Sequence, residues 1–307
     1  TRTDELECRL TACISPEGGA LIQRLELTSH AAQPLEVEIT GAFKVALGAE
    51  ADIKAHPAFQ NLFVRARFED GALVFTRKPR SGGRHPMLLY ALSGAEGLKI
   101  SHEIDLERLI GREGSIADAE TFARVFSNNA GATLNPCAAL KTSLTLAPGG
   151  RRQLAFVAGV AGDEEALSRM RVRHMAAEDA RRSLLLAGSQ ARSMLEFLGL
   201  TPARHQLLQR ASRLVMFPRR DFCPPPCRLA ISGLWALGIS GDLPLITVRV
   251  TSTAQMALVR DALRAHEFYR AMGVWCDLVL VNDYGNDYEQ PVRDALRDQV
   301  AASHLAD

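Results

Sequence analysis

The sequence predicts an α+β multidomain protein: an antiparallel β-sandwich, a helical linker, and then a small α/β segment of βαβα order. Two changes of hydrophobic pattern along the 307 residues lead to this prediction. Short alternating runs of apolar and polar residues, separated by Pro and Gly turns, fill residues 1–162. Helical periodicity follows over residues 163–218, and residues 219–307 contain two solid aliphatic runs, each followed by an amphipathic stretch. We therefore expect domain boundaries near residues 162 and 218.

The alternation is clearest at the start of the chain. Every second residue is apolar over this stretch, so we expect one face of the first strand to be buried. The apolar positions are Leu6, Cys8, Leu10, Ala12 and Ile14.

Gly41 lies inside the strand predicted over residues 35–47, where glycine indicates a bulge or a point of close packing. Further strands are predicted at residues 21–27, 62–68, 72–77, 87–92, 140–146 and 153–160, and short helices at residues 105–110 and 117–124.

Helix signals begin where the alternation ends. Asp163 is a good N-cap residue, and acidic residues follow it, as the helix dipole prefers. We expect a polar helix from there to about residue 186, a second helix over residues 189–198 and a third over residues 201–217. These helices form the predicted linker.

The last part of the chain has the pattern of an α/β unit. Residues 245–250 and 275–281 are continuous aliphatic runs, which are typical of strands buried in a parallel sheet. Amphipathic helices are predicted after each run, over residues 253–272 and 288–304. The order strand, helix, strand, helix predicts a parallel pair of strands packed under helices.

Charge and hydropathy exclude several classes of partner. The formal net charge is +1, which gives no electrostatic reason to expect nucleic acid or an anionic membrane surface. No apolar run approaches the roughly 20 residues that span a bilayer. The first residues show no signal-peptide pattern. We therefore expect no direct membrane contact from this chain and a location on the cytoplasmic side.

The cysteines do not form a recognisable metal or disulfide framework. Six of them are scattered along the chain, without the density of a small secreted scaffold, which favours reduced thiols. Cys223 and Cys227 flank three prolines, but a zinc site needs about four ligands and no second pair follows at suitable spacing. The sequence predicts no metal site and no cofactor.

A polar cluster follows the second aliphatic run. Asp283, Tyr284 and Tyr288 lie beyond the carboxyl end of this predicted strand, where α/β sheets place their ligands. The tyrosines could stack on a sugar ring while the carboxylate binds hydroxyl groups. Asn and Asp are equally favoured in turns and helix N-caps, so a purely structural role stays open.

A second candidate region precedes the first aliphatic run. Trp235 and Asp242 flank a loop of small residues that lacks the glycine spacing of a dinucleotide site and the Lys of a phosphate loop. Nucleotide binding is therefore not predicted. We predict both residues as carbohydrate-binding, with a core position for the tryptophan as the alternative.

Catalytic motifs are incomplete. His266-Glu267 lacks the second His one turn later that the zinc-protease helix requires, because Arg270 stands there. No G-x-S-x-G elbow is present. Glycoside cleavage needs a placed carboxylic acid, and the 35 Asp and Glu residues do not single one out. We predict no catalytic residue.

Several runs of sequence carry a family resemblance, in order and over nearly the whole chain. They are HPAFQNLFV at 56–64, LTPARHQLLQ at 200–209, GLWALGISGDLP at 233–244, LRAHEFY at 263–269 and DLVLVN at 277–282. The chain resembles the middle region of cyclic β-1,2-glucan synthases and their family 94 phosphorylase relatives.

The resemblance implies a supersandwich that is a carbohydrate-binding region of a multidomain, membrane-associated parent in the inner membrane. Such a parent builds β-1,2-glucan from UDP-glucose, closes it into a ring and controls chain length by phosphorolysis. The implied partners are β-1,2-linked glucan oligosaccharides and the other domains of the parent. The family's catalytic acid lies in a barrel whose motifs do not occur here, so none is carried over.

Three functional hypotheses follow. The chain is an accessory, carbohydrate-contacting region of a glucan synthase or phosphorylase, or a structural spacer between catalytic modules. The third hypothesis, a stand-alone hydrolase or phosphorylase, has the missing catalytic motifs against it.

Overall fold

The computed structural model describes residues 1–78, 86–111, 114–115, 117–118, 123–217, 232–285 and 289–303. It confirms the α+β class, with two antiparallel sheets, a parallel pair of strands and helices. The chain forms two compact units, Thr1–Gln190 and Ala191–Asp307.

The elements are numbered here in chain order. The strands are β1 Leu6–Ile14, β2 Ala20–Ser29, β3 Leu35–Lys44, β4 Val64–Glu69, β5 Ala72–Arg77, β6 Met87–Ser93, β7 Ile100–Asp105, β8 Gly131–Ala132, β9 Pro136–Leu146, β10 Arg151–Ala161, β11 Leu245–Val250 and β12 Asp277–Asn282. The helices are α1 Glu50–Ala55, α2 Pro57–Asn61, α3 Leu106–Ile110, α4 Glu164–His174, α5 Ala177–Phe197, α6 Pro202–Met216, α7 Ser232–Trp235, α8 Met256–Ala271 and α9 Pro291–Ala301.

Two antiparallel sheets form the first unit. The larger has seven strands in the order β1-β2-β10-β6-β5-β4-β8, and the smaller has the order β3-β9-β7. The main core lies between their facing sides and contains Phe75, Tyr90 and Phe156 of the larger sheet with Leu140 of the smaller. This arrangement confirms the predicted sandwich.

Gly41 of β3 marks the closest approach of the two sheets. A Cβ atom at this position would overlap the hydroxyl of Tyr90 and the ring of Phe156. The Tyr90 ring also packs edge-on against Phe43 at 4.8 Å between centroids. Of the two roles predicted for Gly41, the structure therefore supports close packing.

The expected burial of β1 is wrong for its second half. Leu10 and Ile14 are 58% and 62% exposed, and Ala12 is exposed too. These residues share a face with core residues of neighbouring strands, since Leu10 pairs with Leu25 and Leu25 with Leu154. Because β1 is the outermost strand of its sheet, this half extends beyond the cover of the smaller sheet.

The outer face of the larger sheet is buried as well. Leu167 and Met170 of α4 and Ala180 of α5 pack on it. Gly159 of β10 permits this contact, because a Cβ there would overlap the Met170 sulfur. The compact unit thus continues through α4 to Gln190, beyond residue 162. The three-part domain division stays a prediction.

The helix break predicted near residues 187–188 is wrong. The structure breaks between α4 and α5 at Met175–Ala176, and α5 runs without interruption through Gly188. Asp179 explains the position, because its side chain accepts a hydrogen bond from the backbone N–H of Ala176 at 3.0 Å. The predicted cap at Asp163 is confirmed, since its carboxylate accepts from Ala166 N.

The second unit contains the predicted βαβα arrangement. β11 and β12 pair in parallel, and α8 and α9 pack against them through Val248, Val250, Leu263, Val292 and Leu296. A second cluster joins the end of α5 to α8 through Leu198, Phe268 and Tyr269. Cys223, Cys227, Tyr288 and the middle of the short helix predicted at 117–124, residues 119–122, lie outside the described residues.

Replacing Gly41 by Ala tests the close packing of the sandwich. We expect the free energy of unfolding to fall by about 1–3 kcal/mol, because the new methyl group forces Tyr90 and Phe156 apart. Gly188→Ala is the matched control: nothing lies near its Cβ position in α5, and alanine favours helix by up to about 1 kcal/mol over glycine. Urea unfolding followed by far-UV circular dichroism measures both. Equal stability of the Gly41 variant and the parent chain would contradict the packing described.

We predict that the free energy of unfolding decreases in acid because of the buried His174. Its ring is buried, neither nitrogen has a hydrogen-bond partner in the described part of the chain, and burial lowers its pKa, partly offset by Asp179. The unfolded chain therefore binds more protons just below about pH 6.5, so stability decreases as the pH falls from there. His102 acts in the same direction, because burial lowers its pKa too.

The measurement is the free energy of unfolding between about pH 7.5 and 5. His174→Leu should flatten the decline below pH 6.5, since an apolar side chain takes up no proton. Substitution of the exposed His56 by Gln should leave the slope unchanged. An unaltered slope in the His174 variant would show that this histidine does not control acid stability.

Candidate functional site

The amino ends of β11 and β12 bring two separate stretches of chain together. The backbone N–H of Asp277, at the start of β12, donates to the carbonyl of Pro244 just before β11, at 2.9 Å. Residues that precede Pro244 and Asp277 therefore lie at the same end of the small sheet.

Trp235 ends α7, ahead of Pro244 in the chain, and its ring is in solvent. Its indole Nε1 donates to the carbonyl oxygen of Ser240 at 3.1 Å. The side chain is nevertheless 62% exposed, so it is not part of the core. The hydrogen bond fixes the indole against its own loop and leaves the ring available for contact.

Trp275 was missed as a site residue, because it was assigned to the start of a buried strand. The strand begins at Asp277, and the extended chain before it alternates in and out. Val274 packs in the second cluster of the unit, Cys276 is 5% exposed, and Trp275 between them is 63% exposed. The carbonyl of Cys276 contacts a ring nitrogen of His266 at 2.8 Å, which holds this alternation in place.

Polar and aliphatic residues accompany the two indoles. Asp242 is exposed, and its backbone N–H donates to the Ser240 hydroxyl oxygen at 3.2 Å. Leu237 and Leu243 are 73% and 38% exposed. We call Trp235, Leu237, Asp242, Leu243 and Trp275 the tryptophan end of the sheet.

The other predicted residues lie at the opposite end. Asp283 follows β12, and its N–H donates to the carbonyl of Val250, the last residue of β11. Its carboxylate pairs with the Arg249 guanidinium at 2.7 Å. The backbone N–H of Tyr284 donates to the Asn282 side chain. Six-residue strands separate the two ends by about 20 Å, so the structure does not bring the predicted residues into one site.

The structural alternative for this second group is only partly supported. A turn of the predicted kind is present, because the Asn282 side chain accepts a hydrogen bond from the backbone N–H of Tyr284 at 3.2 Å. The cap of α9, however, is Gln290, with a left-handed backbone at φ 41°, and not an Asn or Asp of the cluster. The Tyr284 ring therefore remains a candidate ligand contact, whereas a ligand at the Asp283 carboxylate would share it with Arg249.

The tryptophan end has the chemistry of a surface that binds flat, partly apolar ligands. The set comprises two exposed indoles, two exposed leucines and an exposed carboxylate, and exposed aromatic rings are frequent in interaction sites. Among the described residues, no group of three His, Cys, Asp or Glu side chains is arranged to hold a metal ion.

Comparison with known families identifies the family of the first unit. The family described as "Glycosyl hydrolase 94, supersandwich domain" matches residues 1–177. The chain belongs to this family. The matched supersandwich region includes both antiparallel sheets and α4, so it contains the helix that covers the outer face of the larger sheet.

A curated relative extends the similarity to the second unit. The cyclic beta-(1,2)-glucan synthase NdvB of Rhizobium meliloti (strain 1021) is 27% identical over 306 residues. The alignment covers 96% of this chain but 11% of the relative. The 307 residues therefore span about a tenth of that protein's length. Of the helices that the structure describes, none combines the length and the apolar character needed to cross a bilayer.

Intrinsic fluorescence reports on the tryptophan end alone, because the chain contains only two tryptophans and both lie there. We expect an emission maximum close to that of free indole and strong quenching by acrylamide, since both rings are solvated. The single variants Trp235→Phe and Trp275→Phe separate the two signals. A blue-shifted emission that resists quenching would show that the indoles are buried.

Proposed function

We propose that the chain is an accessory, carbohydrate-contacting region of a larger β-glucan-handling enzyme and supplies no catalytic acid of its own. Membership of the glycosyl hydrolase 94 supersandwich family and the similarity to a glucan synthase support the class of parent protein. The observation that carries the binding role is the tryptophan end, where both indoles are more than 60% exposed.

The proposed ligand is a β-1,2-linked glucan. Its pyranose rings present apolar C–H faces that pack on indole rings, while their hydroxyl groups bind carboxylates. Asp242 supplies an exposed carboxylate in the same loop, since its backbone and the Trp235 indole both bond to Ser240. The β-1,2 linkage is taken from the name of the relative and is the part of the proposal that a panel of glucans tests directly.

A spacer that binds no sugar is the second candidate, and the sandwich itself favours it. The larger sheet is packed on both faces, by the smaller sheet and by α4 and α5, which leaves little of it open to a glycan. Its exposed aliphatic residues include Leu10 and Ile14 in the second half of β1. In the spacer hypothesis the supersandwich positions catalytic modules of the parent.

The proposed partners are the glucan and other regions of the parent protein. The cytoplasmic side, the inner-membrane parent and the three-part domain division stay predictions. Release of glucose 1-phosphate on incubation with glucan and phosphate tests the third candidate, a stand-alone phosphorylase, and detectable release would overturn the accessory role.

Titration with β-1,2-glucan oligosaccharides, followed by calorimetry, tests the binding role. We expect Trp235→Ala and Trp275→Ala each to weaken binding by up to about tenfold, because each removes a stacking surface worth about 0.5–1.5 kcal/mol. Phe59→Ala, at an aromatic that is 42% exposed in the first unit, is the matched control and should have no effect. β-1,3- and β-1,4-linked glucans test the linkage.

Two other results would each change the conclusion. Binding that survives loss of both tryptophans but is lost in Asp283→Asn or Tyr284→Ala would place the site at the carboxyl ends of the strands. An absence of heat change and of any fluorescence response at millimolar glucan would leave the spacer as the function.

A further inference from the structure

β12 is an edge strand whose second neighbour is absent from the described residues. It pairs with β11 alone, in a parallel sheet of two strands. Parallel strands are normally buried in larger sheets, and two strands by themselves are marginally stable. The aliphatic run of β12 is only half-buried, and Val281 is 37% exposed. The second unit therefore has an open sheet edge at β12, where another strand can be added.

The backbone groups at this edge can be assigned. Asp277 N donates to Pro244 O and Asp283 N to Val250 O, so the odd-numbered residues of β12 bond to β11. The N–H and C=O groups of Leu278 and Leu280 then face away from β11. These are the groups to which an added strand would bond.

A groove lies beside this edge, between β12 and α9. It has a volume of about 520 Å³, and its apolar lining includes Leu280, Leu296 and Val300. Leu280 is half-buried and Val300 is 38% exposed. In a completed sheet, the helix-facing side chains of the next strand would occupy such a space.

The charged residues of the groove indicate which kind of molecule would bind there. Arg293 and Arg297 of α9 line the same groove, with Asn282 at the end of β12, and the Arg293 Nε also pairs with the neighbouring Asp294 at 3.2 Å. A second copy of the chain pairing through β12 would place the arginines of both copies around one shared groove, where they would repel each other. An occupant with an acidic side chain would instead pair with them.

We propose that the β12 edge and this groove bind an extended peptide segment from outside residues 1–307, added as a third strand. The segment carries aliphatic side chains at alternate positions, which enter the groove, and an acidic residue that pairs with Arg293 or Arg297. Main-chain hydrogen bonds supply affinity, and the groove and the arginines supply specificity. This site is independent of the glucan proposal.

Amide hydrogen exchange of the whole chain, measured by NMR, tests the proposal. The probe is a capped synthetic peptide of about ten residues in which valine alternates with threonine and glutamate. We expect it to slow exchange at Leu278 and Leu280 by tenfold or more, with little change at Val279 and Val281, which already bond to β11. Unchanged exchange at Leu278 and Leu280 with millimolar peptide would overturn the proposal.

Charge reversal tests the choice of an acidic segment. Arg297→Glu should weaken binding of the glutamate peptide by about tenfold and favour an otherwise identical peptide with lysine. Arg210→Glu, at an exposed residue of α6 in the same unit, is the control and should change neither affinity. If the free chain already protects Leu278 and Leu280 and light scattering shows a dimer, a second copy covers the edge and the proposal is wrong.

Discussion

The first unit depends on a sheet that is buried on both of its faces. On the inner side Gly41 allows Tyr90 and Phe156 to pack under the smaller sheet, and on the outer side Gly159 admits Met170 of α4. Each contact requires the absence of a side chain at one position of a strand. Successive residues of β10 pack in different cores: Phe156 lies in the core between the two sheets, and Val157 lies in the core beneath α4 and α5. The sandwich and α4 consequently form one structural unit.

In the second unit, helices cover only one face of the sheet. Its parallel pair has helices on one face, while the opposite face carries Thr247, Arg249 and Val281 in contact with water. What the small sheet offers to other molecules is therefore found at its ends and its edge. The tryptophan end exposes aromatic rings, and β12 exposes backbone. The ligands proposed for the two surfaces, a glycan and a peptide, differ accordingly.

Local pattern predicted most strands, the parallel pair and the cap at Asp163, because these depend on neighbouring residues. β7 was not predicted, since buried His102 and Glu103 interrupt its hydrophobic pattern. The Glu103 carboxylate accepts hydrogen bonds from the backbone of Ile104, Asp105 and Ser127, a tertiary arrangement that no local pattern reveals. Site residues were harder still. Exposure of Trp275 depends on where β12 begins, and the separation of Trp235 from Asp283 depends on strand direction.

The outermost strand β1 has consequences for how the chain behaves at high concentration. Residues 1–3 fold back along its first half, where Thr1 and Cys8 exchange backbone hydrogen bonds. The second half has no such cover among the described residues, and Leu10 and Ile14 are exposed beside it. Uncovered strand borders with aliphatic side chains recruit like strands from neighbouring molecules. Self-association in stored or crowded samples would thus begin between Arg9 and Ile14, and colloidal stability would depend on a short stretch of one strand.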